Sequence, residues 1–113
     1  MIVLKVHLVK KKTILEYVRN HANAEPGFDN WLQMIKVADW EEPNDIPRSI
    51  PVADVLGQGT DRVIFNIGGN KFRCICKYTF SDTYVHLYIK WIGTHAEYSK
   101  LLKSKLQYSV TNY

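Results

Sequence analysis

Phe65–Phe80 reads FNIGGNKFRCICKYTF. Two alternating apolar runs flank Gly68-Gly69-Asn70, residues that accept positive φ and suit a tight connection between antiparallel strands. Alternation sorts the hairpin, and the strand expected after it, onto two faces. Val63, Phe65 and Ile67 point one way; Arg62, Ile64 and Asn66 point the other. Phe72, Cys74, Cys76, Tyr78 and Phe80 oppose Lys71, Arg73, Ile75, Lys77 and Thr79. Val85, Leu87, Ile89 and Trp91 oppose Tyr84, His86, Tyr88, Lys90 and Ile92. Each strand thus has an apolar face that needs a core and a face of cations, rings and amides. When the apolar faces share one core, the other faces must coincide. The pattern predicts one patch of Arg62, Asn66, Lys71, Arg73, Lys77, His86, Tyr88 and Lys90.

Upstream, Ile2, Leu4, Val6 and Leu8 recur at period two, so a strand is expected from Met1 to about Leu8. From about Lys10 to His21 the spacing of Ile14, Leu15, Val18 and Ala22 is helical. The stretch NAEPGFDNWLQMIKVADW predicts a second helix with Phe28, Trp31, Leu32 and Ile35 on one face, Pro26 being tolerated in its first turn. The short link makes the two helices an antiparallel pair. Three prolines and two glycines in EEPNDIPRSIPVADVLGQGTD read as a long irregular loop over about residues 41–61. Strands are expected over about 62–67, 71–80 and 84–92. A closing helix begins at Thr94, an N-cap with Glu97 three residues on. The last residues, about 109–113, read as frayed. One α+β domain over residues 1–113 is the expectation: a small antiparallel sheet with the two N-terminal helices on one face and a short C-terminal helix.

The charge is uneven. Residues 1–61 hold seven Lys/Arg and nine Asp/Glu, whereas residues 62–113 hold eight Lys/Arg against Asp82 and Glu97. A basic C-terminal half suits an anionic partner, with nucleic acid first among candidates. Cations interleaved with Tyr and His fit single-stranded nucleic acid, whose phosphates attract Lys/Arg and whose bases stack on flat rings. No stretch approaches the ~18–20 apolar residues of a membrane span. The opening MIVLKVHLVKKK places its cations after a short apolar run, the reverse of a secretory signal. Cys74 and Cys76, two apart on one strand, share a face and read as reduced core residues of a cytoplasmic protein.

His7, His21, His86 and His95 lack metal-ligand spacing, so no metal and no cofactor is expected. Cleaving RNA without metal needs a base for the 2′-hydroxyl, cations for the phosphate and an acid for the leaving oxygen. His, Lys, Arg and Tyr can fill those roles, and His95 and Tyr98 lie just past the last strand in GTHAEY.

RVIFNIGGNKFR, followed by YIKWIGTHAEYSK, resembles the HigB family of bacterial toxins within the RelE/ParE superfamily. The upstream FDNWLQMIKVADWEEPNDI resembles the family's helix and acidic loop, so the likeness covers about residues 1–102. The resemblance implies a RelE-like fold and the toxin of a type II toxin–antitoxin system. Its activity would be a ribosome-dependent, metal-independent mRNA endonuclease. Its partners would be mRNA on the ribosome and a helix-turn-helix antitoxin of the HigA type. The free toxin would be a monomer and the toxin–antitoxin complex a hetero-oligomer. On this reading His95 transfers protons, Arg73 is the main phosphate cation, Lys71 and Lys90 support it, and Tyr98 orients or stacks. Arg62, Asn66, Asn70, Lys77, His86 and Tyr88 would contact RNA, and Gly68, Gly69 and Gly93 would serve turns. A non-catalytic RNA- or ribosome-binding member of the same fold and a ParE-like toxin directed at gyrase are the alternatives.

Overall fold

Phe65–Phe80 does form a hairpin in the computed structural model, which describes residues 4–113. Strands β4 (Arg62–Ile67) and β5 (Phe72–Phe80) pair antiparallel from Arg62 opposite Lys77 to Ile67 opposite Phe72. Strand β6 (Tyr84–Thr94) pairs antiparallel with β5 on its other side. Strand β1 (Leu4–Val9) lies against β6 in parallel, His7 opposite His86. The expected all-antiparallel sheet is therefore corrected to a mixed one. Period-two alternation is the same for either strand direction, so β1 could not reveal that its neighbour is the last strand. Met1–Val3 of the expected first strand lie outside the described residues.

The stretch expected to be irregular contains more order than its prolines suggested. Helix α3 (Asp45–Ser49) and strand β3 (Ala53–Val55) lie within it, and β3 pairs with β4. Asp45 organises the start of α3 by accepting from the Glu41 and Glu42 N–H groups at 2.8 and 3.1 Å. Those bonds hold its carboxyl below the usual range. With the short β2 (Asp39–Trp40) beside β1, the six-stranded order is β2-β1-β6-β5-β4-β3. Helices α1 (Lys11–Asn20) and α2 (Glu25–Val37) precede β2, and α4 (His95–Lys103) follows β6. Among the described residues no helix is long and apolar enough to cross a membrane.

The main core joins Ile14 of α1 and Phe28, Trp31 and Ile35 of α2 to Val63, Phe65, Cys74, Cys76, Val85 and Leu87 of the sheet. Gly27 brings α2 against the β4–β5 turn: a Cβ there would stand 2.7 Å from the Gly68 nitrogen. A second, smaller cluster forms on the opposite face, where Leu101 of α4 covers Ile64, Ile75 and Trp91. Its existence corrects the expected facing of β6. A register shift between Ile75 and Cys76 sets Cys76 opposite Ile89 but Ile75 opposite Trp91. Lys90 is the extra residue of this bulge. Beyond it Trp91 joins the second cluster, and Ile92 turns into the main core.

The residues expected to fray turn back onto the sheet. Asn112 N–H donates to Lys90 O at 2.8 Å, on the edge of β6 that β1 leaves free after Val9. Arg62 Nη1 donates to Val110 O at 2.7 Å and to Gln107 O at 3.3 Å. An open edge and a buried cation both require partners, and the tail satisfies both.

Tyr17, on α1 between Phe28 and Phe72, has a buried hydroxyl with no hydrogen-bond partner among the described residues. Burial first, then the charges of Glu97 and Tyr113, push its phenol up to about 12. The folded chain thus keeps this proton over a range where the unfolded chain loses it. Stability should be unaffected by Tyr17 below pH 10 and fall as pH rises from 10 towards 12. Denaturant titrations across that range should show the fall in the wild type and a smaller one in Tyr17→Phe, with little difference between the two at pH 7.

Candidate nucleic-acid interface

The hairpin turn fixes one end of the second face. Gly68, Gly69 and Asn70 have φ of 65°, 68° and 103°, and the turn closes as Lys71 N–H donates to Gly68 O at 3.4 Å. The glycines meet the demand for left-handed backbone that a β-carbon would strain. Next along β5 comes Arg73, opposite Asn66 on one side and Gly93 on the other. Gly93 therefore lies in a strand rather than in the expected turn. Its hydrogen is required because the Trp91 ring occupies the place of a side chain.

Arg73 is only 7% exposed. Its Nη1 donates to Asn70 O at 3.0 Å and to Phe72 O at 3.1 Å. Its Nη2 lies 3.0 Å from His95 Nδ1, and its Cζ lies 5.8 Å from the centre of the Tyr98 ring. No carboxylate forms an ion pair with it among the described residues. A buried cation held by neutral acceptors keeps most of its field for an incoming anion. Because a guanidinium can only donate, Nδ1 is the acceptor and the imidazole proton sits on Nε2. His95 as a residue is exposed, and its contact with Arg73 is part-buried.

His95 is placed by two main-chain anchors. The Thr94 hydroxyl accepts from Glu97 N–H at 3.2 Å, and the Glu97 carboxylate accepts from Thr94 N–H at 2.7 Å, the expected capping box. The His95 N–H then donates to Lys71 O at 3.0 Å, tying the start of α4 to the hairpin turn. One turn along, Tyr98 is half-buried; burial and then the Asp54 carboxylate push its phenol up, although Arg73 opposes the shift. It remains a proton-bearing donor at neutral pH. Exposed Asn70 and Lys71 and part-buried Asn66 complete this end.

The other predicted residues lie elsewhere. Lys77, His86 and Tyr88 share the second face, but the cluster of Ile64, Ile75, Trp91 and Leu101 stands between them and Arg73. The single patch is thus corrected to two groups divided by an apolar block. Lys90 belongs with the far group, its ammonium 5.9 Å from the centre of the Tyr88 ring, and does not join Arg73. Arg62 is buried, with burial pulling its guanidinium pKa down, and is committed to the tail carbonyls rather than offered to a ligand. The far group gains residues that the hairpin could not announce. His7 meets Tyr84 and His86 edge-on at 6.5 and 5.7 Å, and His86 stacks with Tyr88 at 6.2 Å. The polar alternation of His7 between Val6 and Leu8 was visible; its parallel neighbour was not.

A mixed sheet whose hairpin arginine is clasped by a C-terminal helix defines a small α+β protein with an anion-receptive cluster at one end. The chain belongs to the HigB toxin family, described as the RelE-like toxic component of a toxin–antitoxin system, which matches residues 24–101. That span includes Arg73, His95 and Tyr98 and stops before the tail. As a toxin of such a system the protein has an antitoxin partner. No individual curated protein matches the chain.

The paired cations Arg62 and Lys77 should separate in their effects on folding. Arg62→Met removes the donor to two tail carbonyls and should cost ~1–3 kcal/mol in urea unfolding. It should also make the bonds after Gln107 more open to limited proteolysis. Lys77→Met, on the same row but exposed, should change stability by less than ~0.5 kcal/mol.

Proposed function

We propose that this toxin is a ribosome-dependent, metal-independent mRNA endonuclease, a reading carried by the buried, carboxylate-free Arg73 beside the imidazole of exposed His95. The scissile phosphate binds between Arg73 and Lys71, with the Tyr98 phenol donating to it. The 2′-hydroxyl oxygen attacks the adjacent phosphorus, and the bond from phosphorus to the 5′-oxygen breaks. The products are a 2′,3′-cyclic phosphate and a 5′-hydroxyl, so one proton leaves the 2′-hydroxyl and one reaches the leaving oxygen. In the resting arrangement His95 can only donate, from Nε2, because Arg73 occupies Nδ1. Turning Arg73 onto a phosphate frees Nδ1 and lets the imidazole exchange protons at both nitrogens. The alignment of mRNA on the ribosome supplies that turn, which ties activity to translation. The rings of His86, Tyr88 and His7, with Lys77 and Lys90, offer stacking and charge for a flanking nucleotide or rRNA. The site thus acts in the cytoplasm, and a HigA-type helix-turn-helix antitoxin holds the toxin, a monomer when free, in a hetero-oligomer.

A non-catalytic, ribosome-blocking toxin is the second reading, favoured by the occupied Nδ1. Primer extension on a defined mRNA, with and without translating ribosomes, separates the two. New 5′ ends should appear only with ribosomes. His95→Ala should lower their rate ~10²–10⁴-fold while leaving ribosome binding intact. Blocked translation without new ends would establish the second reading.

A further inference from the structure

Strand β5 outruns its neighbour at the end remote from Arg73. The β4–β5 ladder stops with Arg62 opposite Lys77, yet β5 continues to Phe80. Tyr78 finds one last main-chain partner, donating its N–H to Asp61 O at 2.8 Å. Strand β6 still covers the other side, with Thr79 opposite His86 and Phe80 opposite Val85. Main-chain groups alternate sides along an antiparallel strand. Phe80, two residues past Tyr78, therefore turns its N–H and C=O to the side that β4 has left.

A pocket of about 400 Å³ fills this step, lined by Glu41, Glu42, Asp61, Tyr78 and Phe80 among others, with no lysine or arginine in its wall. None of the three carboxylates forms an ion pair among the described residues. Tyr78 is 7% exposed and lines the pocket, and its hydroxyl takes part in no hydrogen bond among the described residues. Burial and then Asp61 push that phenol up, so it keeps its proton to donate.

We propose that this step is a docking site for an extended, lysine- or arginine-bearing segment of the antitoxin. A strand edge accepts an extended chain through main-chain bonds, and side-chain pockets beside it select alternate residues. Two cations spaced i, i+2 on the added strand would face the same wall of Glu41, Glu42 and Asp61. Nucleic acid is repelled by that wall, whereas a basic peptide gains from three carboxylates that have no ion-pair partner among the described residues. The antitoxin is the macromolecular partner that the family requires. The inference rests on that partner and not on the nuclease chemistry. Docking here would leave Arg73 and His95 untouched.

Titration of labelled antitoxin into the full-length toxin, at several salt concentrations, tests the site. The combined variant Glu41→Gln, Glu42→Gln, Asp61→Asn should weaken binding at least tenfold and flatten its salt dependence. Tyr78→Phe should weaken it several-fold. Hydrogen exchange should show the Phe80 amide slowed in the complex. Should the triple variant unfold, the single exposed Glu42→Lys carries the same test. Unchanged affinity and salt slope, with no protection at Phe80, would overturn the proposal. So would a toxin dimer that the triple variant dissociates, which would make a second copy of the chain the occupant. Translation arrest by each variant alone is measured in parallel and should match the wild type. A wild type that arrests nothing would count against the nuclease reading and leave the docking result standing.

Discussion

On β6 one residue more is threaded past Ile75 and Cys76 than β5 can match, and most of the second face follows from that bulge. The insertion reverses the facing of everything beyond Lys90. Without it Trp91 would enter the main core and Ile92 would lie outside. With it Trp91 lies on Gly93, meets Ile64 and Ile75, and gives α4 an apolar floor for Leu101. The same insertion turns Lys90 O outwards, where the Asn112 N–H closes it. Helix α4 begins directly after the strand, so the position of His95 over Arg73 depends on where the bulge has set Gly93 and Thr94. A bulge raises local twist and re-aims the side chains after it; here it re-aims a whole helix.

Two arginines of one sheet face show how context divides a common chemistry. Arg62 and Arg73 are equally buried, at 7% exposure. Both donate to main-chain carbonyls, as a desolvated guanidinium must. Arg62 reaches carbonyls of the tail, Gln107 and Val110, and so holds the C-terminal segment against β4. Arg73 reaches the carbonyls of its own turn and then a titratable ring at the surface. Its third partner is thus a side chain, whereas both partners of Arg62 are main chain.

How much of this was legible follows from what alternation and local chemistry encode. The hairpin, the two N-terminal helices, the capping box at Thr94 and the apolar set on β4 and β5 depend on neighbours within a few residues, and the sequence carried them. So did the likeness of RVIFNIGGNKFR and GTHAEY to one family, which brought Arg73, His95 and Tyr98 under one heading. The parallel pairing of β1 with β6, the bulge at Lys90 and the burial of Arg62 depend on segments far apart in the chain. Residue types on a strand do not state which strand lies beside them. Arg62 and Lys77 look alike in sequence, and only the return of the tail over one of them tells them apart. The prolines near Ile50 suppressed α3 and β3 in the reading because a five-residue helix and a three-residue edge strand are too short to show a period.

The charge split between the halves of the chain becomes, in the fold, a polarity along a single strand. Arg73 stands at one end of β5 and the wall of Glu41, Glu42 and Asp61 at the other. From Arg73 to Phe80 the strand rises about 23 Å, more than two Debye lengths of about 8 Å at physiological salt. Charges at the two ends are therefore almost independent through solvent, and each end can select its own partner. Any influence of one occupant on the other has to travel through β5, whose Cys74 and Cys76 pack in the main core, and through the bulge at Lys90 on the neighbouring β6. That stretch is close-packed and transmits displacement poorly unless a register has two settings. An antitoxin seated only at the acidic end would, at that distance, leave the Arg73–His95 contact itself unperturbed.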